Sequence, residues 1–405
     1  MRILMVHNFY REVGGEDLSV QDEKRVLTAQ GHEVLEYSRH NDEIGSRGAT
    51  LNAAWRAVWN PLTYREVRKL IRRQRPDVVH VTNTFPLISP AVNYAARAEG
   101  IPVVQALRNY RLICPNGFLF REGKPCHDCL GKRIPWPAIQ HGCYRESRSA
   151  STVSATVIGV HRALRSWLKT VNCFFSPSEY ARKKMIGEGL PADRFEVLPN
   201  FLVTDPGRGT GASGNAVFVG RLSPEKGLRT VVEAWRKLRL PQGLRIIGDG
   251  TEAPLARQAA NEMREVEWLG RLPWEETLSE IGKAAFLIMP SLGAETFGRT
   301  VAEAFAKGTP VVASRRGPLP DLVEEGRNGL LFTAGDPGDL ARKIQHLKSL
   351  RGGPLSMRPS ARQAFKERFG PEAGYQNLLR IYRKALKTTS VPATDVSLCQ
   401  ENHAG

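Results

Sequence analysis

Two carboxylates, Glu295 and Glu303, are separated by seven residues, Phe297, Gly298, Arg299 and Thr300 among them. Gly298 reads as a loop-to-helix junction and the Gly308-Thr309-Pro310 run as the end of that helix, which puts Glu303 about one turn in. Unpaired N–H groups and the positive dipole end at a helix start suit a diphosphate, and nearby carboxylates can accept hydrogen bonds from sugar hydroxyls. The same glutamates would equally serve a plain helix start facing water. A second cluster, Gly220-Arg221-Leu222-Ser223-Pro224-Glu225-Lys226-Gly227, follows the apolar run Ala216 to Val219. Two cations five residues apart on a strand-loop-helix can meet one pair of phosphates and neutralise charge building on a departing diphosphate, or can simply be solvated. A third, Gly248-Asp249-Gly250 after Leu244 to Ile247, lets the backbone turn tightly and approach a ligand.

These clusters need a frame that sets them side by side. Met1 to His7 reads as a strand, followed by Gly14-Gly15 and a helix from Asp17 to Gln30. Further strands are expected at Val34 to Tyr37, Asp77 to Val81 and Val103 to Leu107, with helical patterns between. The Gly- and Ser-rich stretch Asp205 to Asn215 reads as a flexible connection. Strands then recur at Ala216 to Val219, Leu244 to Ile247, Glu267 to Leu269, Phe286 to Met289 and Val311 to Ala313. Strand-helix alternation of this kind implies two α/β, Rossmann-like doubly wound domains, whose ligands bind at the carboxyl ends of the strands, across a central cleft.

Taken in order, the first-loop glycines, the GRLSPEKG loop, the GDG turn and ETFGRTVAEAFAKGTPVVAS resemble the retaining family-4 glycosyltransferases, of GT-B fold. The resemblance covers most of the chain. It implies an acceptor-side domain over residues 1–199, carrying a Cys-rich insertion at about 108–150 and completed by a final helix at 372–387. It also implies a donor-binding domain over 200–370 and hinge closure that keeps water from the activated sugar. A UDP- or GDP-linked sugar would be the donor, with no catalytic metal. Arg221 and Lys226 would hold its diphosphate, Glu303 the ribose and Glu295 the sugar hydroxyls. Gly220, Gly248, Phe297, Gly298, Arg299 and Thr300 would lie alongside, and Gly14 and Gly15 would let the first loop approach the phosphate. Where the family usually has a sugar-contacting His, this chain has Arg108 and Asn109. Arg108 could pair with a carboxylate or an anionic substrate group, or brace the loop, and Asn109 could hydrogen-bond in place of the imidazole. The resemblance further implies retention of anomeric configuration, with the leaving diphosphate taking the acceptor's proton; a covalent intermediate on a carboxylate is the alternative.

With 405 residues, 41% hydrophobic and 24% charged, the chain is long enough for two ordinary cores. No apolar run approaches a membrane span and Met1 leads straight into a strand pattern, so a cytoplasmic protein is expected, meeting a saccharide or lipid-linked acceptor. The +17 net charge is spread evenly: residues 1–198 hold 29 basic against 19 acidic residues, and the remainder 29 against 22. Phosphate ligands, anionic membranes and nucleic acid would all suit it. A non-catalytic anionic-surface or nucleic-acid binding module would instead cluster cations with aromatics and lack paired carboxylates, so no nucleic acid is expected. A nucleotide-sugar epimerase of the same broad fold is the other rival. From Tyr64 to Pro76 six basic residues ring a helix with Val67, Leu70 and Ile71 on its other side, a solvated face or a peripheral membrane contact.

Four of the six cysteines fall in one stretch: Cys114, Cys126, Cys129 and Cys143, spaced C-x11-C-x2-C-x13-C. That density fits a structural zinc site or a set of free structural thiols. The tail from 388 to 405 is polar and expected to be disordered.

Overall fold

The computed structural model describes residues 1–12, 14–44, 47–238 and 242–389. Its first half contains β1 (Arg2–Phe9), β2 (Glu33–His40), β3 (Val78–Val81), β4 (Val103–Ala106), a short hairpin of β5 (Phe120–Arg121) and β6 (Lys124–Pro125), β7 (Cys173–Ser176) and β8 (Phe195–Val197). Six of these form one sheet, ordered β2-β1-β3-β4-β7-β8 and parallel throughout. The second half contains β9 (Ala216–Val219), β10 (Leu244–Ile247), β11 (Val266–Gly270), β12 (Phe286–Met289), β13 (Val311–Ser314) and β14 (Gly329–Phe332), ordered β11-β10-β9-β12-β13-β14 and likewise parallel. Two parallel-sheet α/β domains result, as the alternating pattern implies. Both faces of each sheet are covered by helices, which is why β3, β4, β7, β12, β13 and β14 are buried at every residue.

The final helix, Pro371–Thr389, returns from the second half to the first sheet. Its Leu378, Ile381, Tyr382 and Ala385 join one core with Ile3, Met5, Val20 and Leu27. Tyr382 hydroxyl and His80 Nδ1, both buried, are 2.8 Å apart, tying that helix to β3. From residue 390 onward the tail lies outside the described residues.

Three readings of the sequence change. Strands β7, β8 and β14, only three or four residues each, escape the pattern, as do β5 and β6. The basic helix runs over Pro61–Gln74, not Tyr64 to Pro76: Asn60 caps its start, and Arg75 leaves it in a left-handed conformation ahead of Pro76. Nor is Asp205 to Asn215 a loose connection. Gly209 N–H donates to Lys307 O at 2.9 Å, Gly211 N–H to Gly282 O at 2.9 Å and Ser213 N–H to Lys283 O at 3.0 Å. Glycine is required at 209 by packing, since a Cβ there would lie 2.3 Å from Gly282.

Candidate functional site

The loop after β9 carries Arg221 and Lys226 and ends at Gly227, a left-handed residue whose added Cβ would lie 2.2 Å from Pro290 O. That close approach presses the loop onto the segment after β12, so Lys226 Nζ reaches Glu295 Oε1 at 2.6 Å. Ser291 Oγ donates to the same carboxylate oxygen at 2.8 Å and is itself buried. Gly248 (φ 137) packs the next turn against the first, since a Cβ there would lie 1.9 Å from Gly220 O. Arg221 remains half exposed; its guanidinium donates to Glu225 at 2.6 Å and to Ser223 Oγ at 3.1 Å and lies 5.3 Å from the Phe118 ring centroid. Burial pushes the Glu225 carboxyl up, but Ser223 and Arg221 outweigh it and leave it below the ordinary carboxylate value.

Gly298, left-handed at φ 101, caps the helix Arg299–Ala306. Glu303, buried in its second turn, accepts from Arg299 Nε at 3.2 Å and from the Trp274 indole at 3.4 Å. Arg299 spans the domains, placing Nη2 2.7 Å from Asp22 Oδ2, and its Nη1 has no hydrogen-bond partner although buried. Burial opposes the Arg299 charge, yet Glu303 and Asp22 together hold its pKa above the usual value. Phe297 turns its ring into the second core, 5.7 Å from Phe369, so its side chain is committed to packing and faces no ligand. Thr300 lies in the first turn of the helix, half-buried.

The first domain meets this cluster through its own loops. Tyr110 hydroxyl donates to Glu295 O at 3.0 Å, Thr296 Oγ1 to Arg108 O at 2.9 Å and Ser178 Oγ to Thr296 O at 2.6 Å. The Arg108 side chain is buried and bound to Glu23 and Asn200, so its contacts are those of a brace and not of a ligand-facing cation. Asn109 Nδ2 donates to Glu16 at 3.0 Å, which also accepts from Tyr10 hydroxyl at 2.7 Å. Gly14 caps the helix Gly15–Ala29, and a Cβ on Gly15 would meet nothing within 4 Å, so no packing demands glycine there.

Sequence reasoning missed Asp17, Asp22 and Glu23, three buried acids on that first helix. They pair with His7 at 2.8 Å, Arg299 at 2.7 Å and Arg108 respectively, and acids in a helix otherwise read as solvent-facing. Ser291, Tyr110, Ser178 and Trp274 carried no signal, because a lone hydroxyl or indole becomes informative only beside its partner. The four clustered cysteines line one small cavity; they are free, and no group of three or more His, Cys, Asp or Glu among the described residues is set as a metal ligand shell. A larger cavity of about 860 Å³, lined by Ile113, Lys132, Arg162 and Trp167 among others, includes none of the motif residues.

Two family descriptions match in tandem: "Glycosyl transferase 4-like domain" over residues 14–200 and "Glycosyl transferases group 1" over 213–349, the latter holding Arg221, Lys226, Glu295 and Glu303. The chain is a family-4 glycosyltransferase of GT-B fold. A glycogen synthase of Mycobacterium tuberculosis is 27% identical to this glycosyltransferase over 402 residues, covering 90% of this chain and 89% of that one. A D-inositol 3-phosphate glycosyltransferase of Corynebacterium efficiens is 40% identical over 132 residues, 30% of this chain and 31% of the relative. An uncharacterized glycosyltransferase of Methanocaldococcus jannaschii is 35% identical over 133 residues, so the matched stretch spans about a third of that relative (37%). Among solved structures, the Anabaena HepE protein in complex with UDP superposes with a TM-score of 0.67 at 18% identity, covering 94% of this chain and 99% of that one. At that identity the likeness concerns the fold.

Proposed function

We propose that this glycosyltransferase moves a hexose from a UDP- or GDP-linked donor to an acceptor hydroxyl with retention of configuration, in the synthesis of a cell-surface polysaccharide or glycolipid. The observation that carries the reading is the meeting of Lys226 and Glu295 at 2.6 Å, at the carboxyl ends of β9 and β12 and against the Arg108–Tyr110 loop of the other domain. Lys226, and Glu295 with the Ser291 hydroxyl beside it, are poised to exchange that bond for a phosphate on one side and a sugar hydroxyl on the other. Arg221 and Lys226 take the diphosphate, and Glu295 takes the sugar hydroxyls. Glu303 takes the ribose, with Arg299 and the helix start beside it and Gly14 and Gly15 opposite. As the sugar becomes cation-like, the two cations stabilise the charge on the leaving diphosphate, whose oxygen accepts the proton of the acceptor hydroxyl on the same face.

Residues 1–199 with the final helix form the acceptor side and residues 200–370 the donor side in this reading. Support comes from the handover between cores: Leu198 and Phe201 pack in the first, Leu202 in the second. No helix of the described residues is long and apolar enough to cross a membrane. A cytoplasmic enzyme reaching a lipid-linked acceptor at the membrane surface fits the exposed Trp55, Trp59 and Leu62 beside the basic helix Pro61–Gln74.

Thermal stabilisation against UDP-, GDP- and ADP-sugars, run on the wild type, Lys226→Ala and Glu303→Gln, tests the site. A shift for one donor that both variants lose is expected. No shift with any nucleotide sugar refutes the donor assignment, and donor turnover without acceptor would make the protein an epimerase. The product's anomeric proton coupling reads retention directly.

A further inference from the structure

Between β4 and the helix Arg148–Ala163 the chain makes an excursion of some forty residues with little regular structure: the β5–β6 hairpin of two-residue strands and the helix Trp136–Gln140. Leu119, Glu122, Arg145 and Glu146 all hold left-handed backbone (φ 50, 52, 55 and 52), which non-glycine residues keep only where surrounding contacts over-determine them. A loop this long and this constrained needs a fastening. Its apolar residues supply part of one, with Ile113, Leu119 and Phe120 buried.

The remaining fastening sits where Cys114, Cys126, Cys129 and Cys143 face one cavity of about 10 Å³, the room of a single small sphere. They come from three separate turns of the excursion, and no disulfide joins any of them. Every pair among the four is close enough that the charge of one thiolate would oppose that of the other. Burial is the largest influence on Cys114, Cys129 and Cys143 and holds all three thiols above the usual value, against the backbone N–H groups of Asn116, Gly117 and Leu119 at Cys114, that of Ala138 at Cys129 and the Arg121 guanidinium at Cys143. Arg121 Nε is buried without a hydrogen-bond partner. Four thiols lining one cavity of this size are the donor set that a tetrahedral zinc ion takes, and zinc would displace their protons. The thiols ring the cavity without closing on a ligand shell, so each must draw inward to reach the Zn–S distance of about 2.3 Å.

We propose that Cys114, Cys126, Cys129 and Cys143 bind one zinc ion as four thiolates, a structural site that staples the excursion. With four protein ligands it has no open position and takes no part in the transfer chemistry. Its effect on the donor side is indirect: Phe118, in the turn that Cys114 and Leu119 flank, lies against Arg221, and Tyr110, whose carbonyl accepts from Cys114 N–H at 2.8 Å, holds Glu295 O.

The test is zinc content of the full-length protein purified under reducing conditions, followed by replacement with Co²⁺. About one zinc per chain is expected, with a thiolate-to-cobalt charge-transfer band and tetrahedral d–d bands on replacement. Cys173→Ser keeps that stoichiometry, because Cys173 lies on β7 outside the cavity, whereas Cys129→Ser loses it. Should Cys129→Ser fail to fold, the cobalt spectrum of the wild type decides. A wild type that neither carries nor takes up zinc, whose cavity cysteines react with a thiol reagent equally fast with and without added metal, overturns the proposal. So does a Cys126–Cys129 disulfide found by mass spectrometry in the reduced preparation.

Discussion

The two faces of the interdomain contact handle charge in opposite ways. On the second domain Lys226, Glu295, Arg221 and Glu225 sit on loops, partly open to solvent, each held in place by backbone packed against backbone. On the first domain Asp17, Glu23, His7, His80 and Arg108 are buried: Asp17 pairs with His7, Glu23 with Arg108, and His80 Nδ1 meets the Tyr382 hydroxyl. Charges that must rebond to a ligand are kept where water can exchange with it; charges that must hold a helix against a sheet are kept dry. Arg299 joins the two sets through Asp22 and Glu303.

The largest effect that would sharpen this contrast is on stability, at the buried pair. Arg108→Met removes the partner of Glu23 from a site where burial already raises that carboxyl more than Arg108 lowers it. A loss of about 3–5 kcal/mol in denaturant unfolding is expected, and Arg108→Met with Glu23→Leu should recover much of it. An equal loss in the double variant would mean that volume, and not charge, sets the cost.

Lys226→Ala should do the reverse. Its pair with Glu295 is partly exposed, so the folding free energy should change by less than about 1 kcal/mol, while turnover falls roughly 10²–10³-fold through lost stabilisation of the leaving diphosphate. Steady-state kinetics with the donor found by thermal shift, beside an unfolding curve, separates the two quantities. A variant that unfolds easily but still turns over would put Lys226 with the structural charges of the first domain.

The same division decides what the sequence made legible. Arg221, Lys226, Glu295 and Glu303 could be found because each follows a short apolar run and stands within a few residues of a glycine that a close approach demands. The doubly wound frame was readable for the same reason, from strands alternating with helical spacing. Arg108 and Glu23 lie 85 residues apart, and nothing local distinguishes a buried acid on the helix Gly15–Ala29 from a solvated one. Strands β7 and β8 went unread although β9 and β10 are no longer than β7; those two each run directly into a glycine turn, and β7 and β8 do not. The stretch Asp205 to Asn215 misled because glycine serves close packing as well as flexibility, and only the neighbouring Gly282 tells which.

Glycine also offers a finer comparison. Gly248→Ala sets a Cβ 1.9 Å from Gly220 O at a φ that side chains avoid, and should cost about 1–3 kcal/mol and displace the Arg221 loop. Gly15→Ala meets open space, so stability should move by less than about 0.5 kcal/mol, and any loss should appear only as weaker donor binding. Unfolding curves and thermal shifts with donor check both. If Gly15→Ala binds donor as the wild type does, the first loop makes no close approach to the phosphate.

The smallest effect tests the dry side by pH. His80 is buried beside Glu23, Arg108, His7 and Tyr382, and burial, aided by Arg108 and His7, lowers its pKa from 6.5 to about 3. The unfolded chain therefore takes up a proton near pH 6.5 that the folded chain refuses until about 3. Between those values the unfolded state holds more protons, so this contribution to stability is complete above pH 6.5 and declines as the pH falls. Its steepest slope is about 1.4 kcal/mol per pH unit. Glu23, whose folded pKa is raised, acts in the opposite sense and is kept in the test variant. His80→Gln should thus show a shallower loss of unfolding free energy than the wild type on going from about pH 6.5 to about 4.5. Parallel pH profiles would mean that His80 is protonated in the fold and paired with the Glu23 carboxylate 3.8 Å away, which would make the first domain's cluster a charge network and not a set of neutral buried groups around one ion pair.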